Sequence, residues 1–206
     1  MKLLLVRHGQ TDWNLNHRFQ GQSDVPLDAA GQEQARRIAA RLAQVEMNAI
    51  YASDLSRAAR TAEEIARPHG LNVILDSRFR ELAFGAWEGL TYQEIQSIAP
   101  DLLDQWHTDP LHARAPEGET LTQLAARVAS ALDDLRARHN GQTVLLAVHG
   151  GTIQTLLCLA LGVDVSRYWQ FSVSSASLTE LAFYPRGAIL NLLNDASHLE
   201  KTTWDN

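Results

Sequence analysis

Two stretches of the chain are apolar without a break. They are Leu3 to Val6 in KLLLVRHG and Val144 to Val148 in TVLLAVHGG. A half-buried strand alternates apolar with polar side chains, so a run with no polar member must be covered on both faces. Such strands belong to sheets with helices packed above and below. Both runs also end the same way, in a histidine followed by glycine: Arg7-His8-Gly9 and His149-Gly150-Gly151.

The rest of the chain alternates short β-like runs with helical patterns. Strands are predicted at 2–6, 48–53, 72–76 and 143–148. A helix capped by Asp28 is predicted from about Gly31 to Val45, with Ala35, Ile38, Leu42 and Val45 on one face. Further helices are predicted over 54–70, stopped at Pro68–Gly70, and over about 119–138, where Leu121, Leu124, Val128, Leu132 and Leu135 keep helical spacing. Another covers 152–161, and two short ones lie around TYQEIQSI and DLLDQWH. SLTELAFYP and AILNLLN read as two final strands, a hairpin over Arg186–Gly187. The expected fold is therefore α/β: a three-layer α/β/α sandwich, a mostly parallel sheet with helices on both faces and an antiparallel edge strand.

The 206 residues suit one domain with an ample core. A formal charge of −6 argues against a partner held by a wide basic surface, such as nucleic acid. The single cysteine, Cys158, sits in the apolar TLLCLALGV, so neither an intramolecular disulfide nor a Cys-based zinc site is expected. The apolar start is too short for a signal peptide, and no run approaches the roughly 18 residues that span a bilayer. The expectation is a cytoplasmic protein with no membrane partner.

In sheets of this kind, ligands collect where strands end, at a switch in strand order. Four strand ends carry polar groups. The first has Arg7 and His8, then Gly9, Thr11 and Asn14. YASDLSRAARTA places Arg57 in the first turn or so of a helix. RFRELAFGAWEG offers Glu81. The fourth has His149, Gly150 and Gly151 just before a helix, whose N-terminal amides are free to meet an anion. Convergence would give two arginines able to fork onto phosphate oxygens, two histidines and one carboxylate.

That set matches phosphoryl transfer. A neutral histidine can be the nucleophile, and neighbouring cations favour its neutral form. A backbone carbonyl on the other ring nitrogen would fix the tautomer. Glu81 could protonate a leaving alkoxide and then deprotonate water. Each residue also has a plainer reading. His8 or His149 could be structural, Arg57 a surface arginine, and Glu81 a loop carboxylate paired with Arg78 or Arg80. His17, His69, His107, His112, His139 and His198 are assigned structural roles, and Trp13 and Trp87 packing roles. A metal between His8 and His149 competes, but no HxH, HExxH or paired Asp motif adjoins them and Arg7 would oppose a dication.

LVRHGQTDWN resembles the signature of the histidine phosphatase superfamily, in its phosphoglycerate mutase-like branch, and more specifically its small phosphatase members. The resemblance continues through RFQGQSDVPLDAAGQEQA, YASDLSRAARTA, RELAFGAWEG, PEGET, VLLAVHGGTI and LNDASHLE, nearly the whole chain. It implies one domain over residues 1–206, with a substrate-covering segment at about 82–118. It implies that His8 is the phosphorylated nucleophile and Glu81 the proton donor. Arg7, Arg57 and His149 would bind the phosphoryl group, with Asn14 and the Gly150 backbone adding hydrogen bonds. Gln20 and Gly21 match a loop bordering the substrate. No metal or cofactor is implied.

The interval from Glu81 to His149 is compact, whereas family mutases usually carry a sizeable insertion there. An open site admits water, so hydrolysis of a small phosphorylated metabolite is favoured over a cofactor-dependent phosphoglycerate mutase. A non-catalytic phosphate-binding module is the remaining alternative, although such members usually lack a His, Arg or Glu that is present here. The leaving group is expected to meet residues of 82–118, with Phe84, Trp87, Trp106, His107, His112 and Arg114 as candidates. A homodimer is left open.

Overall fold

Along the first strand, β1 (Lys2–Arg7), successive side chains enter different cores. Leu3 and Leu5 join one apolar cluster, Leu4 and Val6 the other. This is why the run has no polar member. In the computed structural model, which describes residues 1–200, β1 lies between β4 (Thr143–Val148) and β5 (Leu178–Tyr184). The sheet has six strands in the order β3-β2-β4-β1-β5-β6, with β2 at Ala49–Ala52, β3 at Val73–Leu75 and β6 at Gly187–Asp195. Pairings among β1 to β4 are parallel, and β5 runs antiparallel to both β1 and β6.

One face is covered by α2 (Ala29–Leu42) and α3 (Ser56–Ala66), whose Ile38, Leu42, Ala62 and Ile65 pack on Leu4, Val6, Ile50 and Leu145. The other is covered by α6 (Leu121–Arg138) and α7 (Gly150–Leu161), whose Leu124, Val128, Ile153 and Leu157 pack on Leu3, Leu5, Tyr51, Val144 and Leu146. These are the layers the sequence predicts. Asp28 caps α2, its side chain accepting from the Gly31 N–H at 2.7 Å.

Three local readings change. The helix predicted over 54–70 is α over Ser56–Ala66 and then tightens to a 3-10 turn at Arg67–His69, because Pro68 cannot donate to the ladder. A four-residue helix, α1 (Asp12–Leu15), follows the first histidine, closed by a capping box between Thr11 and Asn14. The helix predicted from 152 starts earlier, at Gly150, with His149 as its N-cap residue. Between β3 and α6 lie α4 (Tyr92–Ile98) and α5 (Pro100–Thr108), around a small core of Trp87, Ile95 and Leu103.

Candidate active site

Arg7 pairs in register with Val148 across β1 and β4, so the next residues, His8 and His149, leave the sheet side by side. The His8 N–H still donates to the Val148 carbonyl, at 2.9 Å. After β1 the chain goes on to α2 on one face of the sheet, and after β4 to α7 on the other. The two histidines therefore stand at a switch point, where an open sheet leaves a crevice. Their ring centroids are 5.2 Å apart with planes at 60°.

His8 is almost fully buried and His149 fully so. The Nδ1 of His8 lies 2.7 Å from the Gly9 carbonyl oxygen. A carbonyl can only accept, so Nδ1 carries the proton and Nε2 keeps its lone pair. Burial holds His8 well below the usual imidazole range, and the positive charges of Arg57 and Arg7 push it further the same way. The same forces act on His149, burial first and then Arg57. Both rings are neutral near pH 7.

Arg57 occupies the first turn of α3 with no exposed surface. Its guanidinium donates to the Ser23 carbonyl through Nη1 and to the Gly21 carbonyl through Nη2, both at 2.8 Å. Burial lowers it to about 10, which leaves it charged at neutral pH. Arg7 donates through Nη1 to the Val173 carbonyl at 2.6 Å. The Nε atoms of both arginines and both ring nitrogens of His149 are buried with no hydrogen-bond partner among the described residues. Most buried polar atoms in folded proteins are paired, so a cluster of unpaired ones calls for an explanation.

Glu81 follows β3 after a 3-10 turn at Ser77–Phe79. Its carboxylate accepts from the Gly151 N–H at 3.0 Å and the Leu82 N–H at 2.9 Å. The first of these is a free amide at the N-terminus of α7, a favourable place for negative charge. A Cβ on Gly151 would come 2.5 Å from a Glu81 carboxylate oxygen, so any larger residue there would displace that carboxylate. Arg127 braces the segment from below. It forks onto Glu119 and donates to the carbonyls of Arg78, Arg80 and Glu81.

A cavity of about 330 Å³ opens over this group, bounded by Arg7, His8, Arg57 and Glu81. Asn14, Gln20 and Gly21 also line it, while Gly150 lies against the Arg7 guanidinium. His17, Arg18 and Phe19 line it too. His17, assigned a structural role from sequence, is instead exposed at the rim, with φ at +52°. The local signal that could have found it is its place between Asn14 and Gln20, both assigned to the site.

Of the candidates in 82–118, Phe84 alone lines the cavity. Trp87 is buried, and with Trp106 it joins Phe19 and Phe84 in an edge-to-face cluster that secures the segment. His107 packs on Trp106 and Tyr92, His112 pairs with Asp109, and Arg114 is exposed. Among the described residues, no group of three or more His, Cys, Asp or Glu side chains is placed to hold a metal ion. No helix among them is long and apolar enough to cross a membrane.

A family model described as histidine phosphatase superfamily (branch 1) matches residues 3–196. The chain belongs to that superfamily. It is thus an enzyme of the histidine phosphatase type. Its relatives include a protein named phosphoserine phosphatase 1 from Hydrogenobacter thermophilus, 34% identical over 97% of this chain and 94% of that one. They also include Escherichia coli GpmB, named a probable phosphoglycerate mutase, 35% identical over the whole of this chain and 98% of that one. A mycobacterial glucosyl-3-phosphoglycerate phosphatase, solved with VO3, superposes with a TM-score of 0.87 at 32% identity, covering 95% of this chain and 99% of that one.

Proposed function

We propose that the protein hydrolyses a small phosphorylated metabolite through a phosphohistidine on His8, without a metal ion. The observation that carries this reading is the Nδ1 contact to the Gly9 carbonyl, which leaves Nε2 of a buried, neutral ring as the free base beside two arginines. In the first step, His8 Nε2 bonds to phosphorus as the ester P–O bond breaks. Glu81, protonated for this step, gives its proton to the leaving alkoxide. Arg7, Arg57, Asn14, His149 and the Gly150 amide spread the charge on the phosphoryl oxygens. In the second step, Glu81 takes a proton from water. The water oxygen bonds to phosphorus, the P–N bond breaks, and His8 returns to its neutral tautomer with release of phosphate. The two guanidiniums supply the positive charge that a metal provides elsewhere.

Gln20, Gly21 and the segment at about 82–118 would cover the leaving group, with Phe84 in contact. A small soluble substrate fits the cytoplasmic location expected from sequence. Phosphatase-named relatives over the full chain support hydrolysis. The GpmB relative favours mutase chemistry as the second reading. The test is phosphate release in EDTA from 3-phosphoglycerate, phosphoserine, α-ribazole phosphate and an aryl phosphate, with wild type against His8→Ala. His8-dependent release in EDTA is expected. Release that requires a divalent metal, or that survives His8→Ala, would sink the reading. Transfer only with a bisphosphoglycerate primer would favour the mutase.

A further inference from the structure

Glu88 does not line the cavity, yet its carboxylate accepts from four donors. Oε1 takes the backbone N–H of Gln22 at 2.9 Å and of Phe84 at 3.1 Å. Oε2 takes the Ser23 N–H at 2.8 Å and the Ser23 hydroxyl at 2.5 Å. The Gln22 N–H and the Gly21 carbonyl are two ends of one peptide unit. That carbonyl accepts from Nη2 of Arg57, and the Ser23 carbonyl accepts from Nη1. A carboxylate, a peptide dipole and a guanidinium are thus joined in line, an arrangement in which each hydrogen bond polarises the next. Gly21 makes the approach possible. Its φ is +50°, and a Cβ there would fall 2.1 Å from Glu88 Oε1.

We infer that Glu88 is a positioning residue for phosphoryl binding: it holds the Gly21–Gln22 peptide so that the two loop carbonyls aim Arg57 into the cavity. This rests on the reading that Arg57 binds the phosphoryl group. A carboxylate that merely fastened the loop to the Phe84 segment would affect folding stability alone. One that acts through Arg57 must lose its effect when Arg57 is gone.

The experiment is a double-mutant cycle read by calorimetric binding of orthovanadate to wild type, Glu88→Gln, Arg57→Ala and the double variant. The glutamine keeps the shape but turns an N–H₂ toward some of these donors. Glu88→Gln is expected to weaken vanadate binding about tenfold in the wild-type background and less than about twofold beside Arg57→Ala. If Arg57→Ala does not fold, Arg57→Lys, which keeps the charge but cannot bridge both carbonyls, completes the cycle. Gly21→Ala, which displaces the same carboxylate, should weaken vanadate binding like Glu88→Gln. An equal loss in both backgrounds, or wild-type affinity in Glu88→Gln, would overturn the inference. Vanadate binding needs no turnover, so an enzyme that binds it through this linkage but releases no phosphate would contradict hydrolysis and leave Glu88's role intact. Wild type that does not bind vanadate would overturn both.

Discussion

The rings of His8 and His149 meet 5.2 Å apart because Arg7 and Val148, the residues just before them, are register partners in parallel strands. Two residues separated by most of the chain are placed by one pairing. The chemistry proposed for them rests on what surrounds them: a carbonyl at the Nδ1 of one ring, two guanidiniums and a carboxylate on the N-terminus of α7.

His8→Ala removes the proposed nucleophile, and kcat should fall roughly 10⁴-fold or more. Arg57→Ala leaves the nucleophile but removes a buried positive charge from the phosphoryl site. Its kcat/KM should drop by about 10²–10³-fold. Steady-state kinetics on the best substrate of the panel, with circular dichroism to show both variants folded, checks the pair. Equal losses in the two variants would argue against separate roles.

Glu81→Gln keeps the shape of the proton donor without its proton chemistry. Alkyl phosphates, whose alkoxides leave poorly, should lose about 10²–10⁴-fold in kcat. An aryl phosphate leaves as a stable phenolate and should lose much less in the first step. Pre-steady-state release of the aryl alcohol measures that step alone. A uniform loss across leaving groups would remove Glu81 from the role of acid.

The neutral histidines give a pH signature. His8 attacks only when unprotonated, and burial with Arg57 and Arg7 holds it well below 6.5. Activity should therefore persist into mildly acidic buffer. Arg57→Ala removes a charge that opposes protonation, so the acidic limb of its kcat/KM profile should move to higher pH. Stability has a related dependence. His8 and His149 bind protons less well folded than unfolded, so their contribution is complete above pH 6.5 and is lost as pH falls from there toward their folded values. The slope approaches about 1.4 kcal/mol per pH unit for each histidine. Urea melts of wild type and a His149→Phe variant across pH 4–8 would show whether the dependence shrinks.

Adjacent glycines should respond differently. A Cβ on Gly151 would strike the Glu81 carboxylate at 2.5 Å, whereas one on Gly150 meets nothing nearer than Arg7 at 3.6 Å. Gly151→Ala should lower kcat at least tenfold, with a smaller change in phosphate inhibition. Gly150→Ala should be the milder variant. Ki for inorganic phosphate beside kcat separates the two cases.

Much of this was legible in sequence. The continuous apolar runs required a sheet covered on both faces, and every expected strand formed. The residues that close each run were those that converge. The less legible parts depend on contacts distant in sequence. Arg57 is held by carbonyls 34 and 36 residues away, which no local pattern announces. Trp87 and Trp106 face one another and Phe19 instead of the cavity, because four aromatic rings bury more surface together than apart. α7 begins two residues before the predicted 152, because Gly150 and Gly151 are poor helix formers and give no sequence sign of a helix start. The brief α1 has too few residues for any period, and only the Thr11–Asn14 box marks it.

The central claim is a phosphoryl group on His8. Rapid-quench mass spectrometry at alkaline pH, where phosphohistidine survives, tests it most directly on wild type and Glu81→Gln during turnover. The account predicts phosphate on the peptide carrying His8 and on no other, accumulating until substrate is exhausted and absent from His8→Ala. Phosphate on His149, or undiminished turnover with no labelled histidine, would contradict it.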